Sequence, residues 1–176
     1  LEPCCHTGRT GPCVDLLIQN KIQTAVIAMV DPNPIVAGKG ITKLKQAGIE
    51  VVLGVGEAKA RSLNIGFITR MTKNRPYIRS KIAASLDGHI GLSNGQSKWI
   101  TNELSRQDVH LYRSQSDAIV TTAATVIADN PVLTVRETSE LNEFTKQPIR
   151  IVIDKDLITD PTALIYQEQD KAKTIV

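Results

Sequence analysis

Short apolar segments of strand length alternate with helical segments along the first part of the chain, and this alternation constrains the fold most strongly. TAVIAMVD (24–31) and IEVVLGV (49–55) are apolar almost throughout, which is typical of strands covered on both faces. ITKLKQAG (41–48) and EAKARSLNIGFITRMT (57–72) have the spacing of helices. Strand and helix in alternation predict an α/β fold with mostly parallel strands.

A second series of elements begins around TKNRP (72–76), where the pattern resets. We therefore predict two domains, 1–72 and 73–176. In the second domain the pattern predicts a helix over 102–115, capped by Thr101, and a short helix over 123–129. The predicted strands are YIRSKIAAS (77–85), DAIVTT (117–122), IRIVID (149–154) and the beginning of another at TIV (174–176).

The composition excludes several classes of function. Lys and Arg number 21 and Asp and Glu 18, and a net charge of +3 is too small to indicate a nucleic-acid or membrane-surface partner, although it suits an anionic small molecule. No apolar run is long enough to span a bilayer. Three cysteines, two of them adjacent, fit a reducing cytoplasm better than a secreted disulfide framework.

All three cysteines lie in the opening stretch LEPCCHTGRTGPC (1–13). Pro12 suits the first turn of a helix that begins near Cys13, and a thiol at that position favours the thiolate form that binds metals. Cys4 and Cys13 are thus candidate zinc ligands. Two alternatives stay open: a closed structural site formed by Cys4, Cys5, His6 and Cys13, and a packing role for the cysteines. Because the chain opens at Leu1 inside this motif, we expect it to be a piece of a longer polypeptide.

The same stretch carries a resemblance to a known family. Pro-Cys with a second cysteine at a helix start resembles the zinc half-motif of cytidine-deaminase-like proteins, and LEPCCHTGRTGPC is similar to the deaminase domain of the bifunctional riboflavin-biosynthesis deaminase–reductases. The resemblance implies that Cys4 and Cys13 bind Zn²⁺ for hydrolytic deamination. It places the third ligand, a histidine, and the proton-shuttling glutamate before Leu1. Residues 1–72 would then be the C-terminal part of a cytidine-deaminase-like α/β/α domain.

The second half is similar to the reductase domain of the same family. SKIAASLDG, SKWIT, LYRSQSDAIVTTAATVIADNPVLTVR and IRIVID occur in the family's order. The resemblance implies that 73–176 is the N-terminal part of a dihydrofolate-reductase-like α/β domain, which uses NADPH to reduce a ribosylamino side chain to the ribitylamino form. Because each half would lack part of its site, we expect this chain alone to have neither full deaminase activity nor full reductase activity.

The resemblance also implies individual contacts. The residues assigned to the phosphorylated pyrimidine substrate are Ser97, Arg113, Leu133 and Arg136, and Lys81 is a further candidate contact. Those assigned to NADPH are Ala83, Trp99, Thr125 and Asp129. Arginines give charged, bidentate contacts to phosphate, and Asp129 is also the candidate for handling a proton. The chain departs from the family at Lys155, where a small polar residue is usual; a lysine there would favour a 2′-phosphate.

Purely structural roles are alternatives to these assignments. Trp99 alone would normally be a core residue, Arg106 and Arg113 could form a solvated helix face, and Asp129 could cap a loop. At the level of the whole chain, the alternatives are a structural zinc module joined to a nucleotide-binding α/β domain, and a nucleic-acid deaminase, which the aromatic content of 3% disfavours. We further expect a homo-oligomer.

Overall fold

A computed structural model describes residues 1–136 and 146–176, and this part of the chain forms two compact units, Leu1–Ser80 and Lys81–Val176. The architecture is mixed α/β, and every paired strand is parallel to its neighbour. No helix of the described residues has the length and apolarity needed to cross a bilayer. The domain limits 1–72 and 73–176 stay a prediction.

The first unit pairs two strands and packs helices against them. Its elements are α1 (Cys13–Gln19), β1 (Thr24–Ile27), α2 (Lys39–Gln46), β2 (Glu50–Leu53), α3 (Glu57–Leu63) and α4 (Ile65–Lys73). β1 and β2 are paired with Thr24 opposite Glu50, and the core contains Val14, Ile27 and Leu44. Gly48 has φ +79°, so the chain can leave α2 and turn directly into β2.

The second unit has a three-stranded parallel sheet in the order β3-β4-β5. Its elements are α5 (Glu103–Ser114), β3 (Ala118–Thr122), α6 (Ala123–Asp129), β4 (Ile149–Ile153), a 3₁₀ turn (Leu164–Tyr166) and β5 (Thr174–Ile175). Val126, Val152 and Ile165 form the centre of its core. Because α6 follows β3 without a loop, its residues begin at the carboxyl end of the sheet, where open α/β sheets bind ligands.

Three sequence-based expectations about local structure were wrong. The single helix predicted over 57–72 is two helices, interrupted at Asn64, whose side-chain amide donates to the Ala60 carbonyl at 2.8 Å. The cap of α5 is Asn102, not Thr101, because the Asn102 side chain accepts the Ser105 amide at 2.9 Å.

The strand predicted over 77–85 is the third. This segment is not a strand, since no described segment supplies backbone partners for it. The side chains that would have faced a core, Ile78 and Ile82, are 73% and 72% exposed. Alternation of apolar residues predicts a strand only where a neighbouring strand satisfies its backbone.

Candidate functional site

Cys4 and Cys13 lie together in the first unit. Cys13 is the first residue of α1, and its backbone N–H donates to the Cys4 Sγ at 3.3 Å. The Cys4 carbonyl in turn accepts the Val14 amide at 3.2 Å. The hydrogen bonds from the Cys13 amide and thiol lower the pKa of Cys4, while the same contact between the thiols raises the pKa of Cys13. Two adjacent thiols, one of them stabilised as a thiolate, fit two positions of a zinc coordination sphere.

The buried Glu2 carboxylate holds this segment in place, and sequence analysis missed it. Its oxygens accept the amides of Asp31 at 3.2 Å, Gly38 at 2.8 Å and Ile41 at 3.0 Å, so it caps the start of α2. Gly40 lets the chain approach closely, since a Cβ there would lie 2.2 Å from the Pro3 carbonyl oxygen. No periodicity signals a glutamate that caps a helix 36 residues away.

The interpretation of Cys4, Cys5, His6 and Cys13 as a closed four-ligand metal site is wrong. The described residues contain no group of three or more His, Cys, Asp and Glu side chains that could hold a metal. The Cys5 Sγ instead contacts the Ile35 carbonyl at 4.0 Å, and His6 is exposed. Within the part of the chain that the structure covers, the candidate metal centre therefore consists of Cys4 and Cys13 alone.

In the second unit the structure brings together three residues predicted to bind substrate. The guanidinium of Arg113, on α5, donates from Nη1 to the Thr134 carbonyl at 3.0 Å. Arg113 therefore lies against the segment that carries Leu133 and Arg136. Burial, and next the positive charge of Arg136, lower the pKa of Arg113. These observations argue against a merely solvated helix face for Arg113.

Residues 132–136, which we call the braced segment, have no regular secondary structure and are held by side chains from α5, from β4 and from Gln147, just before β4. Gln147 accepts the Val135 amide at 2.7 Å and donates to its carbonyl at 2.8 Å, much as a neighbouring strand would. Arg150, fully buried in β4, donates to the Val132 carbonyl at 3.0 Å. Within the segment Leu133 has φ +56° and packs against the core.

The arginine of β4 is an unusual core residue. Besides Val132 its guanidinium donates to the carbonyls of Gln167, at 2.9 Å, and Ala172. Its Nε is the one buried side-chain nitrogen or oxygen atom of the described residues that lacks a hydrogen-bond partner. Burial lowers the pKa of Arg150. Three carbonyl contacts tie the braced segment to the turns before β5, so Arg150 is a structural cation that sequence patterning did not reveal.

The residues predicted to bind NADPH are separated into two groups. Thr125 and Asp129 are exposed on α6, directly after β3, and Lys155 is exposed two residues after β4. Because β3 and β4 are parallel with Thr122 opposite Ile153, Lys155 and the first turn of α6 with Thr125 lie toward the carboxyl end of the sheet, whereas Asp129 is the last residue of α6. Asp129 does not cap the loop that follows; its neighbour Asn130 accepts the Leu164 amide at 2.8 Å.

The remaining predicted residues lie in the stretch 81–101, which contains no helix or strand. Lys81 is exposed, and Ala83 and Ser97 are half-buried. Trp99 is 70% exposed, so its interpretation as a core residue is wrong; its ring instead stacks with Arg106, whose guanidinium carbon lies 4.4 Å from the ring centroid. The structure does not bring these side chains to those of the braced segment through any hydrogen bond among the described residues.

Comparisons with known proteins agree on one family. The RibD C-terminal domain family matches residues 76–176. The chain is 49% identical to the riboflavin biosynthesis protein RibD of Escherichia coli, with 96% of the chain and 48% of that protein covered. It is 46% identical to RibD of Aquifex aeolicus over 100% of the chain and 48% of that protein. The chain thus spans about half the length of these curated relatives.

Solved structures give the same result. RibD of Acinetobacter baumannii superposes with a TM-score of 0.88 at 44% identity, over 97% of this chain and 48% of that one. A Thermotoga maritima protein described as a diaminohydroxyphosphoribosylaminopyrimidine deaminase/5-amino-6-(5-phosphoribosylamino)uracil reductase superposes with a TM-score of 0.88 at 41% identity, over 99% of this chain and 48% of that one. Since the domain match alone covers more than half of the chain, the chain belongs to the RibD family of riboflavin biosynthesis proteins.

Proposed function

We propose that this chain contributes to two steps of riboflavin biosynthesis. Residues 73–176 would take part in the NADPH-dependent reduction of 5-amino-6-(5-phosphoribosylamino)uracil, the ribosyl side chain becoming ribityl, in a dihydrofolate-reductase-like domain. Residues 1–72 would supply Cys4 and Cys13 to the zinc centre of a cytidine-deaminase-like domain acting on diaminohydroxyphosphoribosylaminopyrimidine. The Thermotoga maritima relative carries both activities in its description and matches 99% of this chain.

The arginine pair is the observation that carries the reductase proposal. Arg113 is half-buried and donates to the Thr134 carbonyl, two residues before the exposed Arg136; burial, and next the charge of Arg136, lower the pKa of Arg113. Two like charges held together destabilise each other unless an anion lies between them. A sugar phosphate supplies that anion, and guanidinium groups bind it with two parallel hydrogen bonds each. Leu133, Ser97 and Lys81 would complete the substrate contacts.

The carboxyl end of the sheet suits NADPH. Thr125 offers a hydroxyl and Lys155 an ammonium at this end, and Lys155 has the charge to bind a 2′-phosphate. Trp99 is exposed, and the Arg106 guanidinium lies over one face of its ring. Trp99 and Ala83 would contact the nicotinamide half. NADPH, when bound, supplies the hydride. Asp129 would bind the sugar hydroxyls or hold the accompanying proton.

The thiol pair fits the zinc proposal. Cys4 and Cys13 provide two sulfur ligands, held in position by the α1 amide and by the Glu2 cap. Zinc, when bound, supplies Lewis-acid activation of water for hydrolysis of an amino group. The first-unit residues would hold the metal and leave the proton transfers to a glutamate elsewhere in the longer protein. A cytoplasmic location and homo-oligomerisation stay predictions.

Steady-state kinetics of the complete enzyme test the reductase proposal. In Arg136→Ala we expect the KM for the ribosylamino substrate to rise by at least about tenfold, because a charge-assisted contact to the phosphate is lost, with the KM for NADPH unchanged. Lys146→Ala is the control, since it removes an exposed cation that pairs with Asp117 in the same unit. An unaltered substrate KM in Arg136→Ala and in Arg113→Ala would contradict the assignment.

A further inference from the structure

A buried histidine lies against the candidate phosphate site and has no part in the chemistry proposed above. His110 is 8% exposed and stands on α5, one turn before Arg113. Its Nδ1 accepts the backbone amide of Arg136 at 3.1 Å. By accepting this hydrogen bond, the buried imidazole satisfies a backbone amide that would otherwise have no partner.

Helix α5 therefore holds the braced segment by two hydrogen bonds. Arg113 binds the Thr134 carbonyl and His110 binds the Arg136 amide, so the two bonds flank Val135 on consecutive turns of one helix. Gln147 holds both polar groups of Val135 itself. With its amide fixed to α5, the backbone from which the Arg136 side chain extends is held near the helix that carries Arg113.

The protonation state agrees with this geometry. An imidazole that accepts at Nδ1 is neutral and carries its proton on Nε2. Burial, followed by the charges of Arg113 and Arg136, lowers the pKa of His110 to about 4. The ring is thus an acceptor at neutral pH and adds no third positive charge beside the two guanidinium groups.

We propose that His110 is a positioning residue, which fixes the backbone of Arg136 so that its side chain meets the substrate phosphate together with Arg113. The proposal rests on the proposed function, in which Arg113 and Arg136 bind that phosphate. His110 itself touches neither substrate nor cofactor. Loss of His110 weakens binding only at the phosphate end of the substrate. A residue with a general structural role would affect cofactor binding as well.

The test compares two substitutions in the complete enzyme. His110→Asn keeps an acceptor near the position of Nδ1, whereas His110→Leu has a similar size and no acceptor. Ribose 5-phosphate is the probe, and its Kd is measured by calorimetry beside the Kd of NADPH. In His110→Leu we expect ribose 5-phosphate to bind about tenfold more weakly with NADPH affinity retained, and in His110→Asn we expect the affinity to recover to within about threefold.

Amide hydrogen exchange of the wild type provides a measurement that needs no variant. The Arg136 amide should already be protected before any ligand is added, and rapid exchange at the rate of an open loop would overturn the proposal even if His110→Leu failed to fold. Unchanged ribose 5-phosphate binding in His110→Leu, while Arg136→Ala loses it, would overturn the role of His110 alone. Unchanged binding in Arg136→Ala and Arg113→Ala would overturn the phosphate assignment and this proposal with it.

Discussion

Two pairs of candidate site residues are assembled in different ways. Cys4 and Cys13 are nine residues apart in one segment, and a bond from the first amide of α1 is enough to join them. Arg113 and Arg136 come from a helix and an irregular segment, and the side chains of His110, Gln147 and Arg150 hold that segment. The thiol pair, whose members are close in the sequence, depends on a helix start. The arginine pair, whose members are distant in the sequence, depends on polar side chains from other elements.

This difference determines what a substitution should do. The thiol pair can be altered with little effect on the rest of its unit, because Cys13 is exposed and Cys4 only half-buried. The arginine pair is coupled to stability, because two of the side chains that support it, His110 and Arg150, are buried. We therefore expect functional losses without unfolding at the first site, and combined losses of stability and binding at the second.

The largest effect is expected from Cys4→Ser in the complete enzyme. Zinc content measured by atomic absorption should fall, and ammonia release should drop by more than about a hundredfold, since even loss of an outer-shell partner costs 10- to 100-fold. The reductase rate should not change. Cys5→Ser is the matched control, because its sulfur contacts the Ile35 carbonyl and its side chain packs against the core of the first unit. Full deaminase activity in Cys4→Ser would contradict this account of the thiol pair.

Arg150→Met should produce the largest loss of stability in the second unit. Three carbonyls, those of Val132, Gln167 and Ala172, lose the donor that the buried guanidinium supplies, and we expect the free energy of unfolding to fall by about 3 kcal/mol. Denaturant titration measures this value. Lys173→Met, at an exposed neighbouring position, should be nearly neutral. If both variants were equally stable, the braced segment would not depend on Arg150.

Gly40→Ala tests the support of the thiol pair. A Cβ 2.2 Å from the Pro3 carbonyl oxygen must push the opening segment away from α2, and we expect a loss of about 2 kcal/mol together with weaker zinc binding. Gly66→Ala provides the contrast, because no described atom outside its own stretch of helix lies within 4 Å of its Cβ position, and α4 should gain slightly in stability. Thermal melts and zinc titration of both variants decide the question.

The pH dependence of stability should reveal His110. Its folded-state pKa of about 4 lies below the unfolded value of 6.5, so the unfolded chain binds the extra proton between these values. This contribution is complete above pH 6.5 and is lost as the pH falls toward 4. Between pH 7 and pH 5 the wild type should therefore lose on the order of 1–2 kcal/mol more than His110→Asn. Parallel stability profiles for the two proteins would contradict a buried neutral imidazole.

The smallest effect concerns the stretch 81–101. Arg106→Gln removes the guanidinium that lies over the exposed Trp99 ring and donates to the Thr101 carbonyl, and we expect about 1 kcal/mol of lost stability. Tryptophan fluorescence should nevertheless change, because this chain has only one tryptophan. A large loss of stability would mean that this stretch is held as firmly as the braced segment.

Sequence analysis predicted the elements that depend on local patterns. The parallel strands at 24–27, 50–53, 118–122 and 149–153 were confirmed, because short apolar runs bounded by turns leave few alternatives. The strand at 77–85 was wrong because pairing depends on a neighbour that a local pattern does not reveal. Asn102 displaced Thr101 as a cap because both are good caps and only the geometry of the helix start decides.

The candidate site was predictable to different degrees. Cys4 and Cys13 were visible from their residue types, and the resemblance supplied Arg113 and Arg136. Glu2, His110 and Arg150 were not visible, since a charged or polar residue within an ordinary sequence gives no signal that it is buried. Buried polar groups that bind backbone are specified by the tertiary fold and carry no periodic pattern.

The most direct test of the central claim is a crystal structure of the complete enzyme with NADPH and the ribosylamino phosphate. The account predicts that the phosphate oxygens lie about 3 Å from the guanidinium nitrogens of Arg113 and Arg136, with the Arg136 amide still bonded to His110. A phosphate bound away from both arginines, for example by Lys81 alone, would contradict it.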